Sequence, residues 1–145
     1  MIMKLKSINF PELSFKLTNN NPQPQKGNVL ELKLNPQFKR AVLNVNTNDN
    51  VKLLNLICSM PSTYTDPKPF DLTVSIMGVF EVEDFEPTQF QYEATSVLFP
   101  YLRMAISNLT NMACFPPINL PLMENGILFP EDRYVANVKD IKTDD

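Results

Sequence analysis

The 145-residue sequence contains no histidine and no tryptophan, and only three glycines and two cysteines. Histidine is the commonest general base and the commonest metal ligand, so its absence excludes many hydrolytic and metal-dependent mechanisms. The cysteines, Cys58 and Cys114, show neither a CxxC motif nor a metal-ligand spacing. We therefore expect two buried free thiols, which we favour over a disulfide bond, and no cofactor, no metal and no enzymatic activity.

Long hydrophobic runs and basic stripes are also missing. No apolar run approaches the roughly 20 residues that cross a membrane, and the N-terminus, which carries Lys4 and Lys6, lacks the apolar core of a signal peptide. The net charge of -3 argues against a nucleic-acid partner. These absences predict a cytoplasmic protein that neither inserts into a membrane nor binds nucleic acid.

The composition that remains is typical of a globular protein, with 43% hydrophobic and 20% charged residues. A chain of this length fits one domain that buries roughly 70% of its unfolded surface. We expect a single domain over residues 1–135. Residues 136–145 are mostly polar and are predicted to form a disordered tail.

Alternation of apolar and polar residues predicts strands in the first third of the chain. A first strand is expected in residues 8–18, and a second around residues 30–34, which Pro36 ends. The segment 19–27 between them lacks apolar residues and predicts a polar connection.

Two interpretations fit residues 41–60. Residues 41–47 alternate before the turn-prone Asn48-Asp49-Asn50 segment, and residues 51–60 are apolar on both faces, as in a covered central strand. Residues 51–60 are either a separate strand or the continuation of the preceding one through a bend. The pattern does not distinguish the two.

The clearest strand extends from Phe70 to Val82, where every second residue is apolar or glycine. Gly78 lies on the apolar face. A missing side chain at such a position indicates a bulge or the close approach of another element, and a packed helix would fit.

Residues 98–113 predict a long amphipathic helix. Its apolar residues recur at helical spacing, and they are Leu98, Leu102, Ala105, Ile106, Leu109, Met112 and Ala113. The FPP sequence at residues 115–117 is expected to stop it. Thr88 can cap a helix that begins near Gln89. Because Pro100 falls inside the pattern, we expect a kink there, which we favour over a short helix that precedes a longer one.

Strands followed by one long helix predict an α+β domain with an antiparallel sheet and the helix packed on one face. The LFPY sequence at residues 98–101 and FPPINLP at residues 115–121 resemble the SecB family of protein-export chaperones, whose members carry LFPYAR and FPxxNLxP at this spacing. The resemblance implies a four-stranded sheet, dimers, and tetramers in which the long helices lie between two sheets. It also implies a crossover loop at residues 19–27 and a second helix within residues 119–129.

SecB-family members hold unfolded preproteins in apolar grooves without ATP and deliver them to the SecA motor. The resemblance implies that this chain holds unfolded or preprotein clients for export. Adaptable apolar side chains suit such binding, and the candidates are Phe70, Tyr101, Met104, Leu122, Met123, Leu128 and Phe129. For any one of them, burial in the core or in a contact between subunits is the more common role.

The resemblance also assigns residues to assembly and to the motor. The apolar stripe of the helix would form contacts between subunits, through Leu102, Ile106, Leu109 and Met112. Motor docking in the family uses acidic residues on the open face of the sheet, and Glu12 and Asp71 are the counterparts here. Lys16 departs from that pattern, because the family carries an acidic residue four positions after Glu12.

Two alternatives follow from this departure. The chain is then a dedicated chaperone of one client, such as the antitoxin of a toxin–antitoxin pair, or an adaptor that keeps the SecB fold without binding clients. The altered acidic face favours the dedicated chaperone of these two.

Overall fold

The computed structural model describes residues 1–18, 34–45 and 49–120. In these residues four strands precede one helix, and the elements are β1 (Ile2–Leu17), β2 (Gln37–Asn44), β3 (Val51–Met60), β4 (Phe70–Glu83) and α1 (Pro87–Met112). The predicted crossover loop, the tail 136–145 and nearly all of the strand expected around residues 30–34 lie outside the described residues. Leu34 itself is described and belongs to no strand.

The four strands form one antiparallel sheet in the order β1-β4-β3-β2. The predicted α+β fold with a four-stranded antiparallel sheet and one long helix is confirmed. β2 pairs with β3 from Phe38 opposite Cys58 to Asn44 opposite Lys52, so residues 51–60 are a separate strand. β3 is central, as expected, but only one of its faces is fully buried; Leu53 and Ile57 on the other face are half-buried.

β1 is a long edge strand with two irregularities. Its pairing with β4 shifts between Leu5 and Ser7 and again between Asn9 and Glu12, and each shift inserts one extra residue in β1. The second insertion contains Pro11, which has no backbone N–H and is tolerated at a bulge in an edge strand. Because a bulge reverses the alternation of side chains, it changes which residues share a face.

The core lies between α1 and one face of the sheet. Every second residue of β3 and β4 is buried there against Leu98, Leu102 and Ile106 of α1. A Cβ atom added to Gly78 would lie 2.8 Å from Leu98 Cδ2, which is too close for two carbon atoms. The predicted close approach of a helix at Gly78 is confirmed.

α1 begins two residues earlier than predicted, at Pro87, and its N-cap is Glu86 rather than Thr88. The Glu86 carboxylate accepts hydrogen bonds from the backbone N–H groups of Thr88, at 3.3 Å, and Gln89, at 2.6 Å. These bonds satisfy donors that have no partner inside the helix. The helix then continues through Pro100 to Met112, so the alternative of two separate helices is wrong.

The helix ends before its prolines, through a Schellman motif. Cys114 adopts the left-handed conformation, with φ of 58°, and its N–H donates to the Asn111 carbonyl at 3.0 Å. The Phe115 N–H donates to the Thr110 carbonyl at 3.1 Å. This pair of bonds defines the motif, so the FPP sequence follows the end of the helix rather than causing it.

Residues 115–120, which we call the return segment, run back along one flank of α1. Thr110 Oγ1 accepts from the Ile118 N–H at 3.0 Å, and Arg103 Nε donates to the Leu120 carbonyl at 2.5 Å. The side chains of Ile118 and Leu120 are buried in the core. In the part of the chain that the structure describes, no helix is long and apolar enough to cross a membrane.

Candidate functional site

An apolar groove lies between β1 and the outer side of α1. It has a volume of about 200 Å³, and its lining residues are Phe10, Leu13, Met104, Ala105, Asn108, Leu109 and Met112. Asn108 is the only polar side chain among them. We call this surface the β1–α1 groove.

The bulge at Pro11 builds the β1 side of the groove. In a regular strand Phe10 and Leu13 would point to opposite faces, because they are an odd number of positions apart. The extra residue between Asn9 and Glu12 reverses the alternation. Both side chains therefore line the same groove.

On the α1 side, the groove residues follow helical spacing. Met104, Asn108 and Met112 recur every fourth position and so lie on one side of the helix. Arg103 and Thr110, which anchor the return segment, lie on the other flank. In the described residues, the return segment therefore covers one flank of α1 and leaves the groove open.

The groove exposes a large amount of apolar surface. Met112 is 80% exposed, and Met104 and Leu13 are each 51% exposed. Methionine side chains are flexible and polarizable, so they adapt to partners of different shape. Such a surface binds by burial of apolar area and imposes little sequence specificity.

Of the predicted client-binding residues, Met104 lines the groove, and Tyr101, 38% exposed, lies on α1 outside it. The assignment of Phe70 to a binding surface is wrong, because its side chain is fully buried. Its ring packs in the core against Phe15 and Phe115, with centroids 5.6 and 5.4 Å away. The other candidates, Leu122, Met123, Leu128 and Phe129, lie outside the described residues.

The predicted assembly stripe divides into two parts. Leu102 and Ile106 are fully buried against the chain's own sheet, so their assignment to contacts between subunits is wrong. The apolar face of β3 and β4 covers both side chains, so they cannot contact another subunit. Leu109 and Met112 line the groove instead and remain available to a partner.

The predicted motor-docking residues lie on the sheet face opposite α1, which we call the open face. Glu12 is exposed there. Asp71 is half-buried and lies opposite Lys16 in the register of β1 and β4. Its Oδ1 accepts a hydrogen bond from the Ser62 N–H at 2.6 Å. Asp71 therefore stabilises the loop that precedes β4.

The charges of the open face are balanced in the described strands. Basic and acidic side chains lie there in equal number. The strand registers place Lys4, Lys16 and Lys39 there with Glu12, Asp71, Glu81 and Glu83, and its ion pair with Glu81 places Lys6 there. Lys6 Nζ and Glu81 Oε1 form an ion pair at 3.3 Å. The acidic surface that the family resemblance implies is absent from these strands.

The described residues contain no group suited to acid–base or nucleophilic catalysis in the groove. Burial raises the pKa of the Cys58 thiol to about 12, so this sulfur stays protonated and unreactive at neutral pH. Cys114 is exposed, so the expectation that both thiols are buried is wrong for this residue, and its side chain does not line the groove. Residues 1–18, 34–45 and 49–120 hold no cluster of three or more potential metal ligands.

Sequence reasoning missed Phe10 and Leu13 as site residues. Both fall within residues 8–18, where the first strand was predicted. The available signal was Pro11, because proline inside a strand indicates a bulge and hence a change of face. The second missed feature is the free edge of β1, which pairs only with β4 among the described strands.

Similar proteins support the same fold. The protein-export protein SecB of Blochmanniella pennsylvanica (strain BPEN) is 23% identical over 135 residues, which cover 89% of this chain and 84% of that protein. The Mycobacterium tuberculosis Rv1957 SecB-like chaperone, solved in complex with a ChAD peptide from the Rv1956 HigA1 antitoxin, superposes with a TM-score of 0.61. It shares 15% sequence identity, and the match covers 82% of this chain and 86% of that chain.

The family assignment rests on a match over nearly the whole sequence. The model of the SecB family, described as preprotein translocase subunit SecB, matches residues 2–134. It includes β1, β4 and α1, the elements that build the groove and the core beneath it. This chain therefore belongs to the SecB family, whose members are chaperones and not enzymes.

Proposed function

We propose that this chain is an ATP-independent holding chaperone of the cytoplasm that binds unfolded polypeptides, including preproteins for export, through exposed apolar surface. The β1–α1 groove is the observation that supports the proposal. It gathers two exposed methionines and an exposed leucine on one surface, whereas the large apolar side chains of the described core, such as Phe80 and Leu102, are fully buried. An unfolded client presents the apolar side chains that such a groove would remove from water.

The size of the groove matches reversible binding. Full burial of one large apolar side chain contributes roughly 1.5–3 kcal/mol. A few such side chains give a favourable free energy that is then reduced by the entropy lost on ordering the client. A holding chaperone needs this intermediate affinity, because it must release the client to a later partner.

The chemistry of the groove suits many clients. Among the described residues, no charged side chain lines the groove, so it favours neither sign of charge in the segments that flank the bound apolar side chains. Met104 and Met112 can change rotamer to accommodate different side chains. We propose that Tyr101 and the predicted residues Leu122, Met123, Leu128 and Phe129 extend this surface.

The test is suppression of the aggregation of a chemically unfolded substrate protein, without nucleotide. We expect protection at a stoichiometric concentration of the full chain. The substitutions Met104→Asp and Met112→Asp together should weaken protection at least tenfold, since each places a charge on the apolar surface. Asn111→Asp is the matched control, because it adds a charge to the same exposed helix end outside the groove.

Two results would contradict the proposal. Absence of protection by the native chain would favour the alternative function, an adaptor that keeps the SecB fold without binding clients. Equal protection by the double variant and the control would show that clients bind elsewhere.

We also propose that copies of the chain associate through the free edge of β1, in dimers that pair as a dimer of dimers. An exposed edge strand presents unpaired backbone donors and acceptors that a second strand can satisfy, and a two-fold axis would place two β1 strands side by side. The mass of one chain is 16.6 kDa, so light scattering distinguishes twice or four times that value from a monomer. A strictly monomeric protein would contradict the association.

A dedicated chaperone of one client is the second candidate. The balanced charges of the open face favour it, because the described strands place as many basic as acidic side chains on the face that carries the predicted docking residues Glu12 and Asp71. The similar Mycobacterium tuberculosis chaperone was solved with a peptide from an antitoxin. Capture of SecA by the immobilised chain would favour general export, and failure to capture it would favour the dedicated client.

A further inference from the structure

The loop that joins β3 to β4, residues 61–69, contains a buried lysine. The side chain of Lys68 is 1% exposed, and in the part of the chain that the structure describes it is the only charged side chain that is buried. Burial of an ammonium group is unfavourable unless the charge is paired and its N–H groups have acceptors. Lys68 Nζ lies 2.7 Å from Asp66 Oδ2 and donates to the Pro61 carbonyl at 3.1 Å. The shape of the loop therefore compensates this charge.

The backbone of the same loop holds the end of β1. Thr18, the first residue after β1, donates its hydroxyl hydrogen to the Lys68 carbonyl at 2.5 Å and its N–H to the Pro69 carbonyl at 2.9 Å. Ser62 Oγ accepts a hydrogen bond from the Lys68 N–H at 2.9 Å. The position of Lys68 is thus tied to the place where the chain leaves β1.

The start of β2 is held by the ion-pair partner of that lysine. Asn35 lies just before β2, and its Nδ2 group donates to Asp66 Oδ2 at 3.3 Å. Asn35 has a φ of 45°, in the left-handed region that asparagine adopts more readily than most residues. One carboxylate oxygen of Asp66 therefore contacts both Lys68 and Asn35.

We propose that Asp66 and Lys68 form a conformational clasp. The clasp opens and closes as one unit, and it couples the chain that leaves β1 at Thr18 to the chain that enters β2 at Asn35. The inference does not rest on the proposed function of the groove, because it concerns only the contacts of the β3–β4 loop.

The buried charge makes the clasp a two-state element. If Asp66 moved away while the ammonium group stayed in place, Lys68 would be buried without its partner, which is strongly unfavourable. In the open state the ammonium group reaches water and no longer needs the carboxylate. Intermediate positions are therefore little populated. A partner that binds the chain at one end in only one of the two states must also shift the other end.

Opening of the clasp is measured by acetylation with N-hydroxysuccinimidyl acetate, because a buried amine reacts only when it reaches water. The full chain is labelled under native conditions, and mass spectrometry gives the rate at each lysine. We expect Lys68 to react at least a hundredfold more slowly than the exposed Lys39. Thr18→Val removes the hydroxyl donor, and Asn35→Gly removes the amide donor but tolerates the left-handed conformation. Each variant should raise the rate at Lys68 at least threefold.

Coupling of the two ends is measured by hydrogen exchange of the Thr18 N–H. Asn35→Gly should speed this exchange at least threefold, although the substituted residue lies at the other end of the clasp. Exchange of the Leu56 N–H in the central strand β3 should remain unchanged. Tyr64→Phe is the matched control in the same loop, because the Tyr64 side chain is fully exposed, and it should alter neither rate.

Three results would overturn the inference. The first is acetylation of Lys68 as rapid as that of Lys39 in the native chain. The second is an unchanged exchange rate of Thr18 in Asn35→Gly, because the two ends would then move independently. The third is equal acceleration at Leu56, which would show that the loop opens only when the whole sheet unfolds.

Discussion

Cys114 holds a conformation that suits glycine better than any other residue. Its φ of 58° places it in the left-handed region at the C′ position of the Schellman motif. A side chain in this region clashes with the backbone at a cost of roughly 1–2 kcal/mol. The helix ends here because two hydrogen bonds and the burial of the return segment outweigh that cost.

Cys114→Gly is therefore predicted to stabilise the protein by about 1 kcal/mol, the usual cost of the left-handed conformation for a residue with a Cβ. Urea denaturation measures the change in the free energy of unfolding. Cys114→Ala keeps the Cβ and should leave the stability nearly unchanged. A destabilised glycine variant would contradict the account of this helix end.

Cys58 makes the stability depend on alkaline pH. Burial raises the pKa of its thiol from 9.0 to about 12. Below pH 9 the thiol is protonated in both the folded and the unfolded chain. Between pH 9 and about 12 only the unfolded chain loses the proton, so the free energy of unfolding falls as pH rises.

The prediction is that Cys58→Ala flattens this decline. The free energy of unfolding, measured in urea at pH 8 and at pH 10.5, should fall less in the variant than in the native chain. The quantity compared is the change in the free energy of unfolding between the two pH values, because loss of the buried sulfur lowers the free energy of unfolding at every pH. Identical slopes would show that the buried thiol does not titrate differently in the two states.

At the scale of elements, α1 combines a structural face and a surface face. Leu102→Ala removes a fully buried side chain and is predicted to lower the free energy of unfolding by about 2–5 kcal/mol. Met112→Ala should change it by less than about 0.5 kcal/mol, because the side chain is 80% exposed. Chemical denaturation of both variants measures the difference, and similar losses would contradict the division of the helix into two faces.

Sequence patterns predicted β3, β4 and α1 to within about two residues, because alternation and helical spacing directly reflect burial on one face. β1 begins at Ile2, well before the predicted start at residue 8, and β2 covers Gln37–Asn44 rather than residues 41–47. Gly78 and its close helix followed from the same alternation. The details at element ends did not follow. The Glu86 cap and the left-handed Cys114 depend on local hydrogen bonds that several residue types can make, and no glycine indicated the turn at Cys114.

At the scale of the whole molecule, the groove joins β1 to α1 across about ninety positions of sequence. Its position depends on the bulge at Pro11, which moves Phe10 and Leu13 onto one face, and on the way α1 crosses the sheet. Periodicity reports the burial of a single element but not which elements meet. This is why both Met104 and Phe70 were predicted as site residues, although Phe70 belongs to the core.

The balance of charge on the open face likewise depends on which strands are neighbours in the sheet. Lys39 and Glu12 are far apart in the sequence, and only the strand order β1-β4-β3-β2 places them on one surface. The departure at Lys16, which is visible in the sequence, is reinforced by three further lysines. The part of the chain that the structure describes thus separates a sheet face of balanced charge from an apolar groove, and we propose that clients bind in the groove.

The proposal that clients bind in the β1–α1 groove is tested most directly by methyl NMR. Spectra of the full chain with 13C-labelled methionine methyl groups are recorded with and without an unfolded polypeptide. The account predicts that the Met104 and Met112 signals shift or broaden as the polypeptide is added. The signals of Met60 in the core and Met77 on the open face should remain unchanged. Shifts confined to Met77, or unchanged signals of Met104 and Met112 while the polypeptide is bound, would contradict the assignment of client binding to the β1–α1 groove.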